Sequence, residues 1–369
     1  MSPSHVPPSH APQDQMPVDL ATDLRQTVDQ VTKEALNLGY RLEQRLAMVR
    51  QRRAKRRGDI PVMVAFDGFG TTSHVRILGR ALLKTAGPED PTDEDASSIR
   101  GWRSFTSLPI AFAHVDVRLG GQEFRLVADK GGVIDADLEI ALEAGTHQAQ
   151  LRTEGSAWAT STVTVVRDGQ KIGVVSDVDD TVMVTALPRP MLAAWNSFVL
   201  NEHARTPTPG MAVLMERLTK KHPHAPFIYL STGAWNVAPT LRRFLSRNAY
   251  PAGALLLTDW GPTTDRWFRS GPRHKVENLE HLAKDFPGVK WILIGDDGQH
   301  DPEIYGGFAR RYPEHVAAVV IRNLSPAEAV LASGQLLADY GPSIPEGIPL
   351  IEANDGATIA EKLKQVGLL

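Results

Sequence analysis

The sequence contains no cysteine, no apolar run long enough to cross a membrane and no excess of positive charge. The lack of cysteine excludes disulfides, thiolate metal sites and a cysteine nucleophile, and it fits a reducing compartment. A membrane-spanning helix needs roughly 18 consecutive apolar residues, so we expect no transmembrane segment. Because the net charge is −3, we expect no nucleic-acid partner, since binding that polyanion requires a positive field. These features predict a cytoplasmic protein, with peripheral membrane contact left open and the oligomeric state undetermined.

The chain has 369 residues, which predicts several domains rather than one core. Residues 1–18 carry five prolines and no signal-peptide core, so they predict a disordered tail. Residues 19–58 predict a helix, because apolar residues recur there at steps of three and four. This helix ends in a basic block, RQRRAKRR, at residues 50–57. Two interpretations stay open: the solvated end of a docking helix, or an anchor for anionic lipid surfaces.

Residues 60–168 change to a period of two. In HVDVRLG, for example, Val115, Val117 and Leu119 alternate with polar residues. Such strands bury one face and leave the other in water, as in antiparallel sheets. Glycine pairs separate the strands as turns. The segment therefore predicts an all-β, sandwich-like domain.

Residues 170–369 change pattern again, because short apolar runs alternate with amphipathic helical segments. The runs are IGVV, FIYL, ALLL, WILI and VAAVVI. This alternation predicts an α/β domain, a Rossmannoid parallel sheet with helices on both faces. Ligands of such sheets bind at the carboxyl ends of the strands. The residues that follow each run are therefore the candidate site.

Polar residues follow three of these runs. They are Asp177, Asp179, Asp180 and Thr181 after IGVV, Ser231 and Thr232 after FIYL, and Asp296, Asp297 and Asp301 after WILI. Lys275 is expected in the first turn of a later helix. One lysine cannot neutralise six carboxylates, so the residues call for a hard divalent cation, and Mg²⁺ suits oxygen ligands beside a phosphate. A calcium loop is excluded, because Val182 stands where that loop needs glycine and Pro188 where it needs glutamate.

These motifs, in this order, resemble those of the haloacid dehalogenase superfamily of phosphohydrolases. More closely, GVVSDVDDTV, PTPGMAVL, FIYLSTGAWN, RHK and LIGDDGQHDPEIY resemble the actin-patch-type phosphatidate phosphatase family and its bacterial relatives. The resemblance covers residues 60 to about 325. It departs at Gly233-Ala234, where Ser-Pro is expected, and at Asp297, where serine is common. The resemblance implies a three-layer, haloacid-dehalogenase-like catalytic domain.

The resemblance also implies a role for each site residue. Asp177 would be the nucleophile that forms an aspartyl phosphate, and Asp179 the general acid and base. Ser231 and Lys275 would hold the phosphoryl group. Mg²⁺ would be bound by Asp177, the Asp179 carbonyl and Asp296, with Asp297 as a further metal candidate. The supporting residues would be Thr181, Thr232, Asp180 and Asp301. His274 and His300 lie beside the site in sequence but have no partner at metal-ligand spacing.

The spacing of the motifs leaves no room for a separate cap domain. About 45 residues separate Thr181 from the next core strand, and about 42 separate Thr232 from Lys275. The site should therefore be open, which suits large or surface-bound substrates. Residues 187–201 predict either a helix packed on the core or a lipid-facing flap. A phospholipid at a membrane surface is the expected substrate; a macromolecular phosphoester and a non-catalytic membrane or cytoskeletal adaptor are the alternatives.

Overall fold

The computed structural model describes residues 51, 53, 54, 56–85, 107–184, 206–258, 264–298, 300–325, 328 and 344–369, without the side chains of 264–270. The chain divides into two compact units, Met1–Arg52 and Arg53–Leu369. The predicted tail, most of the predicted amino-terminal helix and the segment 187–201 lie outside the described residues. At the start of the second unit, Arg53, Ala54 and Arg56 are helical.

Eight strands form the all-β part of the second unit. They are β1 (Ile60–Gly70), β2 (His74–Lys84), β3 (Leu108–Pro109), β4 (His114–Leu119), β5 (Gln122–Val127), β6 (Val133–Glu139), β7 (Gly145–Thr153) and β8 (Ala159–Val165). The predicted alternation is present, since every second residue of β4 is buried, namely Val115, Val117 and Leu119. These residues join a core to which β1, β2, β6, β7 and β8 also contribute.

The described strands of the all-β part form one sheet, and the sandwich-like arrangement stays a prediction. They are hydrogen-bonded into one sheet in the order β3-β2-β1-β8-β7-β4-β5, and β6 pairs with β2. The long strand β2 makes this possible, because one edge pairs with β1 and the other pairs with both β6 and β3. Alternation predicts which face of a strand is buried, but it does not say which strands are neighbours.

The α/β part begins with β9 (Ile172–Ser176) and a short antiparallel pair, β10 (Met183–Val184) and β11 (Thr206–Pro207). The remaining elements, in chain order, are α1 (Met211–Lys221), β12 (Phe227–Ala234), α2 (Ala238–Arg247), β13 (Ala254–Thr258), α3 (Thr264–Asp285), β14 (Lys290–Asp296), α4 (Asp301–Arg311), β15 (Val316–Arg322), β16 (Leu350–Ala353) and α5 (Gly356–Gln365). The main sheet of the α/β part has six strands in the order β13-β12-β9-β14-β15-β16, and all five of its strand pairings are parallel.

This strand order places a crevice beside the first strand. From β9 the chain moves outward to β12 and β13, then returns across β9 to β14 and continues to β15. Crossovers in opposite directions put their helices on opposite faces when both are right-handed. In agreement, α3 contacts α4, while α1 contacts α5. The direction reverses between β9 and β14, and open parallel sheets bind ligands at that switch point.

Close packing holds β9 and β14 at the centre of the sheet. Residues 173–176 of β9 and 291–296 of β14 are buried, as expected for strands covered on both faces. Gly173 permits the fit, since a Cβ there would come within 2.4 Å of the Trp291 ring. The Trp291 ring in turn meets Phe286 edge-on, with 5.7 Å between centroids.

The all-β sheet packs against the parallel-sheet part through aromatic rings. Phe66 of β1 stacks on Trp235, which follows β12, with 4.7 Å between ring centroids. Nearby, Arg242 pairs with Asp67 at 2.8 Å. The strand that carries Ser231 is therefore braced by β1. None of the helices in the described ranges is both long and apolar enough to span a bilayer.

Candidate active site

The first site residues lie directly after the central strand β9. Residues 177–183, here called the acid loop, carry Asp177, Asp179 and Asp180. The loop is held to the neighbouring strand, because the amide of Asp177 donates to the Ile294 carbonyl at 2.8 Å. It then makes a tight turn, since the amides of Val182 and Met183 both donate to the Val178 carbonyl. The acid loop is thus built at the switch point that the strand order creates.

Three carboxylates meet where β9 and β14 end. Asp177, Asp296 and Asp301 each offer an oxygen, and these oxygens lie within 4.8 Å of one another. Each of the three is at most 1% exposed. Asp296 is held by the Gly298 amide at 2.7 Å and faces the Thr181 hydroxyl at 3.5 Å. The predicted convergence of strand ends is therefore present in the structure.

Lys275 supplies the cation that touches this carboxylate group. Its Nζ lies 2.7 Å from Asp177 Oδ1 and 2.5 Å from Asp301 Oδ1. The ammonium is 2% exposed, so both ion pairs form away from water. Asp301, expected as a supporting residue, makes one of these two contacts. An ammonium has three donors, so one remains for a bound anion.

Burial dominates the electrostatics of the site. Loss of water raises the pKa of the Asp177 carboxyl well above its usual value; Lys275 opposes this rise, while Asp301 and Asp179 add to it. Burial likewise raises the pKa of Asp296, and Asp301 and Asp177 raise it further. For Lys275, burial lowers the pKa, but attraction to Asp177 and Asp301 outweighs burial and the net pKa is raised. Lys275 therefore stays charged, but its single positive charge does not offset the cost of ionising the buried carboxylates of Asp177 and Asp296.

Asp179 lies beside a hydroxyl from the next strand. Ser231 donates its hydroxyl to Asp179 Oδ2 at 3.1 Å and accepts the Gly233 amide at 2.9 Å. Both residues are buried. Thr232 is half-buried, and its carbonyl accepts the Thr258 hydroxyl at 2.8 Å. Ser231 and Thr232 lie within β12 rather than just beyond it, because the strand runs on to Ala234.

Two expectations need correction. Lys275 is not in the first turn of its helix, since α3 begins at Thr264 and contains Pro272. Pro272 thus lies inside the helix, although proline is favoured in a first turn. Asp297 does not join the carboxylate group described above. Instead its Oδ1 accepts the Leu324 amide at 2.9 Å, and the residue is half-buried. The interaction anchors the loop after β15.

Two buried side chains bond the backbone of the acid loop, and neither was predicted from the sequence. Arg322, the last residue of β15, donates from Nη1 to the Asp180 carbonyl at 2.7 Å. Tyr250 donates its hydroxyl to the Val182 carbonyl at 2.6 Å. A charged residue that ends a wholly apolar run, as in VAAVVIR, was the available signal for Arg322. Nothing in the sequence around Tyr250 marked it.

The two histidines beside the site play no part in the carboxylate group. Burial lowers the pKa of His274 to about 4, so its ring is neutral at pH 7. The Nδ2 of Asn278 lies 3.2 Å from one of its ring nitrogens. His300 is exposed and lies 3.6 Å from Glu303.

The residues present suit a hard divalent cation. Oδ2 of Asp177 and Oδ2 of Asp301 are buried and have no hydrogen-bond partner. Buried oxygens of this kind ordinarily have a partner. The donor set is all oxygen, which Mg²⁺ prefers. Asp177, Asp296 and Asp301 are thus the described side chains best arranged to hold the ion, with Asp301 in the place that had been expected for Asp297.

Comparisons with known proteins agree with this geometry. Residues 172–323 match the family model described as "Phosphatidate phosphatase APP1, catalytic domain". Phosphatidate phosphatase APP1 of Saccharomyces cerevisiae is 27% identical over 154 residues, which cover 41% of this chain and 26% of the yeast protein. An uncharacterized protein of Schizosaccharomyces pombe is 24% identical over 160 residues, or 43% of this chain and 26% of that protein. The chain thus spans about a quarter of the length of these curated relatives.

Among solved structures, the crystal structure of a carbohydrate acetylesterase from Xanthomonas citri covers 84% of this chain and 74% of its own. The sequence identity is 10% and the TM-score is 0.31, so this likeness does not establish a common fold. The sequence match is the informative one, because it begins with β9, includes every site residue named above and ends after Arg322. Residues 172–323 are thus similar in sequence to the catalytic domain of phosphatidate phosphatase APP1.

Proposed function

We propose that this chain is a Mg²⁺-dependent phosphatase that hydrolyses a phosphomonoester through an aspartyl phosphate on Asp177. The observation that carries the proposal is the charge of the site. Three buried carboxylates share one ammonium, which leaves two negative charges uncompensated when all three are ionised. Burying unpaired charge is costly. A divalent cation held by Asp177, Asp296 and Asp301 would remove that cost and keep Asp177 ionised.

The geometry supports a division of labour between the two oxygens of Asp177. Oδ1 is bound by Lys275, while Oδ2 has no hydrogen-bond partner. We propose that one carboxylate oxygen of Asp177 attacks phosphorus, so that a phosphorus–oxygen bond forms as the bond to the leaving alkoxide breaks, and that the other oxygen would hold the cation. Bound Mg²⁺ would supply the positive charge that lets an anionic carboxylate approach an anionic phosphate.

Asp179 is the proposed general acid and base. The Ser231 hydroxyl donates to Asp179 Oδ2, which orients the carboxyl group. Asp179 would give its proton to the leaving alkoxide in the first step. In the second step, the ionised Asp179 would take a proton from water as that water attacks phosphorus. Inorganic phosphate then leaves and the Asp177 carboxylate is restored, while the remaining Lys275 donor holds a phosphoryl oxygen.

Phosphatidate is the proposed substrate, which would give diacylglycerol and phosphate. This choice is supported by the match of residues 172–323 to the phosphatidate phosphatase APP1 catalytic domain and by the similarity to the yeast phosphatidate phosphatase. Peripheral contact with a membrane from a cytoplasmic location, and the haloacid-dehalogenase-like three-layer fold, belong to the same proposal. A protein phosphoester is the alternative that an open site would also admit.

Phosphate release across a panel of phosphatidate vesicles, nucleotides, sugar phosphates and phosphopeptides tests the proposal. Asp177→Asn should abolish turnover, because an amide is not a nucleophile. Asp179→Asn should slow both steps by ~10²–10⁴-fold, the usual contribution of a general acid or base. Asp116→Asn, on the all-β sheet, is the charge-matched control and should keep full activity. An Asp177→Asn protein with wild-type turnover would remove the aspartyl-phosphate mechanism.

A further inference from the structure

The acid loop contains a residue in an unfavourable backbone conformation. Asp180 has φ 56°, in the left-handed region, which only a few per cent of non-glycine residues adopt, with asparagine, aspartate and histidine the most frequent among them. Residues in this region persist only where their surroundings fix them. Asp180 directly follows Asp179, so its φ angle sets the rotation of the peptide between them. A change to an ordinary φ would move the proposed general acid relative to Ser231.

Arg322 bonds the backbone of Asp180 from outside the loop. It is 3% exposed and uses its guanidinium at three points. Nη1 donates to the Asp180 carbonyl at 2.7 Å, Nε to the Asn354 carbonyl at 3.2 Å, and Nη2 to Glu328 Oε1 at 2.7 Å. The side chain that bonds Asp180 is therefore itself fixed by two other segments.

A second contact lies further along the loop. The Tyr250 hydroxyl, which is buried, donates to the Val182 carbonyl at 2.6 Å, and the same carbonyl accepts the Thr208 amide at 3.0 Å. The loop is thus held at Asp180 and at Val182. Neither Arg322 nor Tyr250 contacts the carboxylates of Asp177, Asp296 or Asp301 through any bond described above. Their contacts are with the backbone that carries the acidic residues.

We propose that Arg322 is a positioning residue for general-acid catalysis. It holds Asp180 in the left-handed conformation and so keeps Asp179 aimed at the leaving group, with Tyr250 in a supporting role. The inference rests on the proposed function. It extends that function, because it makes the protonation step depend on a residue that bonds the backbone of the acid loop.

The test compares two aryl phosphates of similar size, 4-nitrophenyl phosphate and phenyl phosphate. Nitrophenolate leaves readily without a proton, whereas phenolate needs one. Arg322→Gln should lower kcat/KM for phenyl phosphate by about tenfold or more, within the range of general-acid effects, and the value for 4-nitrophenyl phosphate much less. In an Asp179→Asn background, Arg322→Gln should add little, because coupled residues are non-additive. Equal losses on both substrates, or full additivity, would overturn the proposal.

The matched control is Arg76→Gln, which removes another buried arginine. Arg76 is 6% exposed and binds Asp135 through two nitrogens, at 2.6 and 2.7 Å, away from the acid loop. Its loss should leave the ratio of the two kcat/KM values unchanged. Arg322→Lys keeps a cationic donor group and should recover part of the phenyl phosphate activity. If Arg322→Gln does not fold, Tyr250→Phe deletes only a hydroxyl and should shift the same ratio; an unchanged ratio in Tyr250→Phe would then overturn the proposal.

Amide hydrogen exchange supplies a readout that does not depend on turnover. The amides of Val182 and Met183, which bond the Val178 carbonyl, should exchange faster in Arg322→Gln than in Arg76→Gln. Equal exchange in the two variants would show that Arg322 does not hold the loop. If the wild-type protein hydrolyses neither aryl phosphate nor any substrate of the panel, the proposed function fails by itself. The exchange measurement still decides whether Arg322 fixes Asp180.

Discussion

Because the negative charge of the site is uncompensated, we expect the substitution Asp296→Asn to affect thermal stability in opposite directions with and without Mg²⁺. Asp296→Asn should raise the melting temperature of the metal-free protein and abolish most of its stabilisation by Mg²⁺. Asp296 is wholly buried, and its pKa is raised by burial and then by Asp301 and Asp177. An amide of the same shape removes that cost. Its oxygen can accept the Gly298 amide, and its NH₂ can donate to the Thr181 hydroxyl, so both polar contacts survive.

The size of the metal effect follows from mass action. A ligand that binds only the folded state at a hundred times its Kd stabilises that state by about 2.7 kcal/mol. For domains of this size, 1 kcal/mol changes Tm by about 2–4 °C. Saturating Mg²⁺ should therefore raise the Tm of the wild-type protein by about 5–10 °C. Asp296→Asn lacks one of the three carboxylates, so its Tm should change by a small fraction of that amount.

The assay is thermal unfolding followed by near-ultraviolet circular dichroism, in chelator and in a Mg²⁺ series. Asp116→Asn serves as control, because Asp116 is a carboxylate on the all-β sheet, paired with Arg125 and Arg152. That variant should keep the full response to Mg²⁺. Two results would refute the reasoning: a wild-type protein whose Tm ignores Mg²⁺, or an Asp296→Asn protein that responds as strongly as wild type.

Three further predictions follow from other parts of the molecule. Burial lowers the pKa of His274 from 6.5 to about 4, so between pH 6.5 and pH 4 the unfolded chain binds a proton at this residue and the folded protein does not. The free energy of unfolding should therefore fall as the pH is lowered over this range, by at most about 1.4 kcal/mol per pH unit. Denaturant titrations at several pH values should show a smaller slope for His274→Gln. Gly173→Ala places a Cβ against the Trp291 ring and should destabilise the fold by about 1–3 kcal/mol in the same titrations, whereas an unchanged midpoint would mean that the ring can move aside. Replacing the exposed Arg53 and Arg56 with glutamine should reduce the fraction of protein that sediments with phosphatidate vesicles at low salt, and it should leave hydrolysis of a soluble analogue unchanged. Undiminished vesicle binding would mean that the basic block at residues 50–57 is only a solvated helix end.

The positions of the acidic residues could be predicted from sequence because parallel sheets impose a simple rule. The carboxyl ends of neighbouring strands meet at one edge, so polar residues after IGVV and WILI had to be close if those runs were neighbours. The structure pairs them directly, with Val175 beside Leu293. The periodicity of two in residues 60–168 likewise identified buried faces. Periodicity does not say which strands are hydrogen-bonded neighbours, so it did not predict the single eight-stranded sheet.

Contacts that do not follow from the positions of strand ends could not be predicted from the sequence. Asp297 and Asp301 are four residues apart, and both are plausible ligands by residue type. Only the start of α4 at Asp301 decides between them, because it turns Asp301 toward Lys275, while Asp297 bonds the Leu324 amide. Arg322 is a stronger case, since it acts on a backbone carbonyl 142 residues away in sequence. A carbonyl is present at every position, so no pattern of side chains could mark Asp180 as its partner. The acidic residues were visible because the chemistry needs particular side chains. The residue that we propose holds them in place was not, because backbone positioning can be done by any well-placed donor.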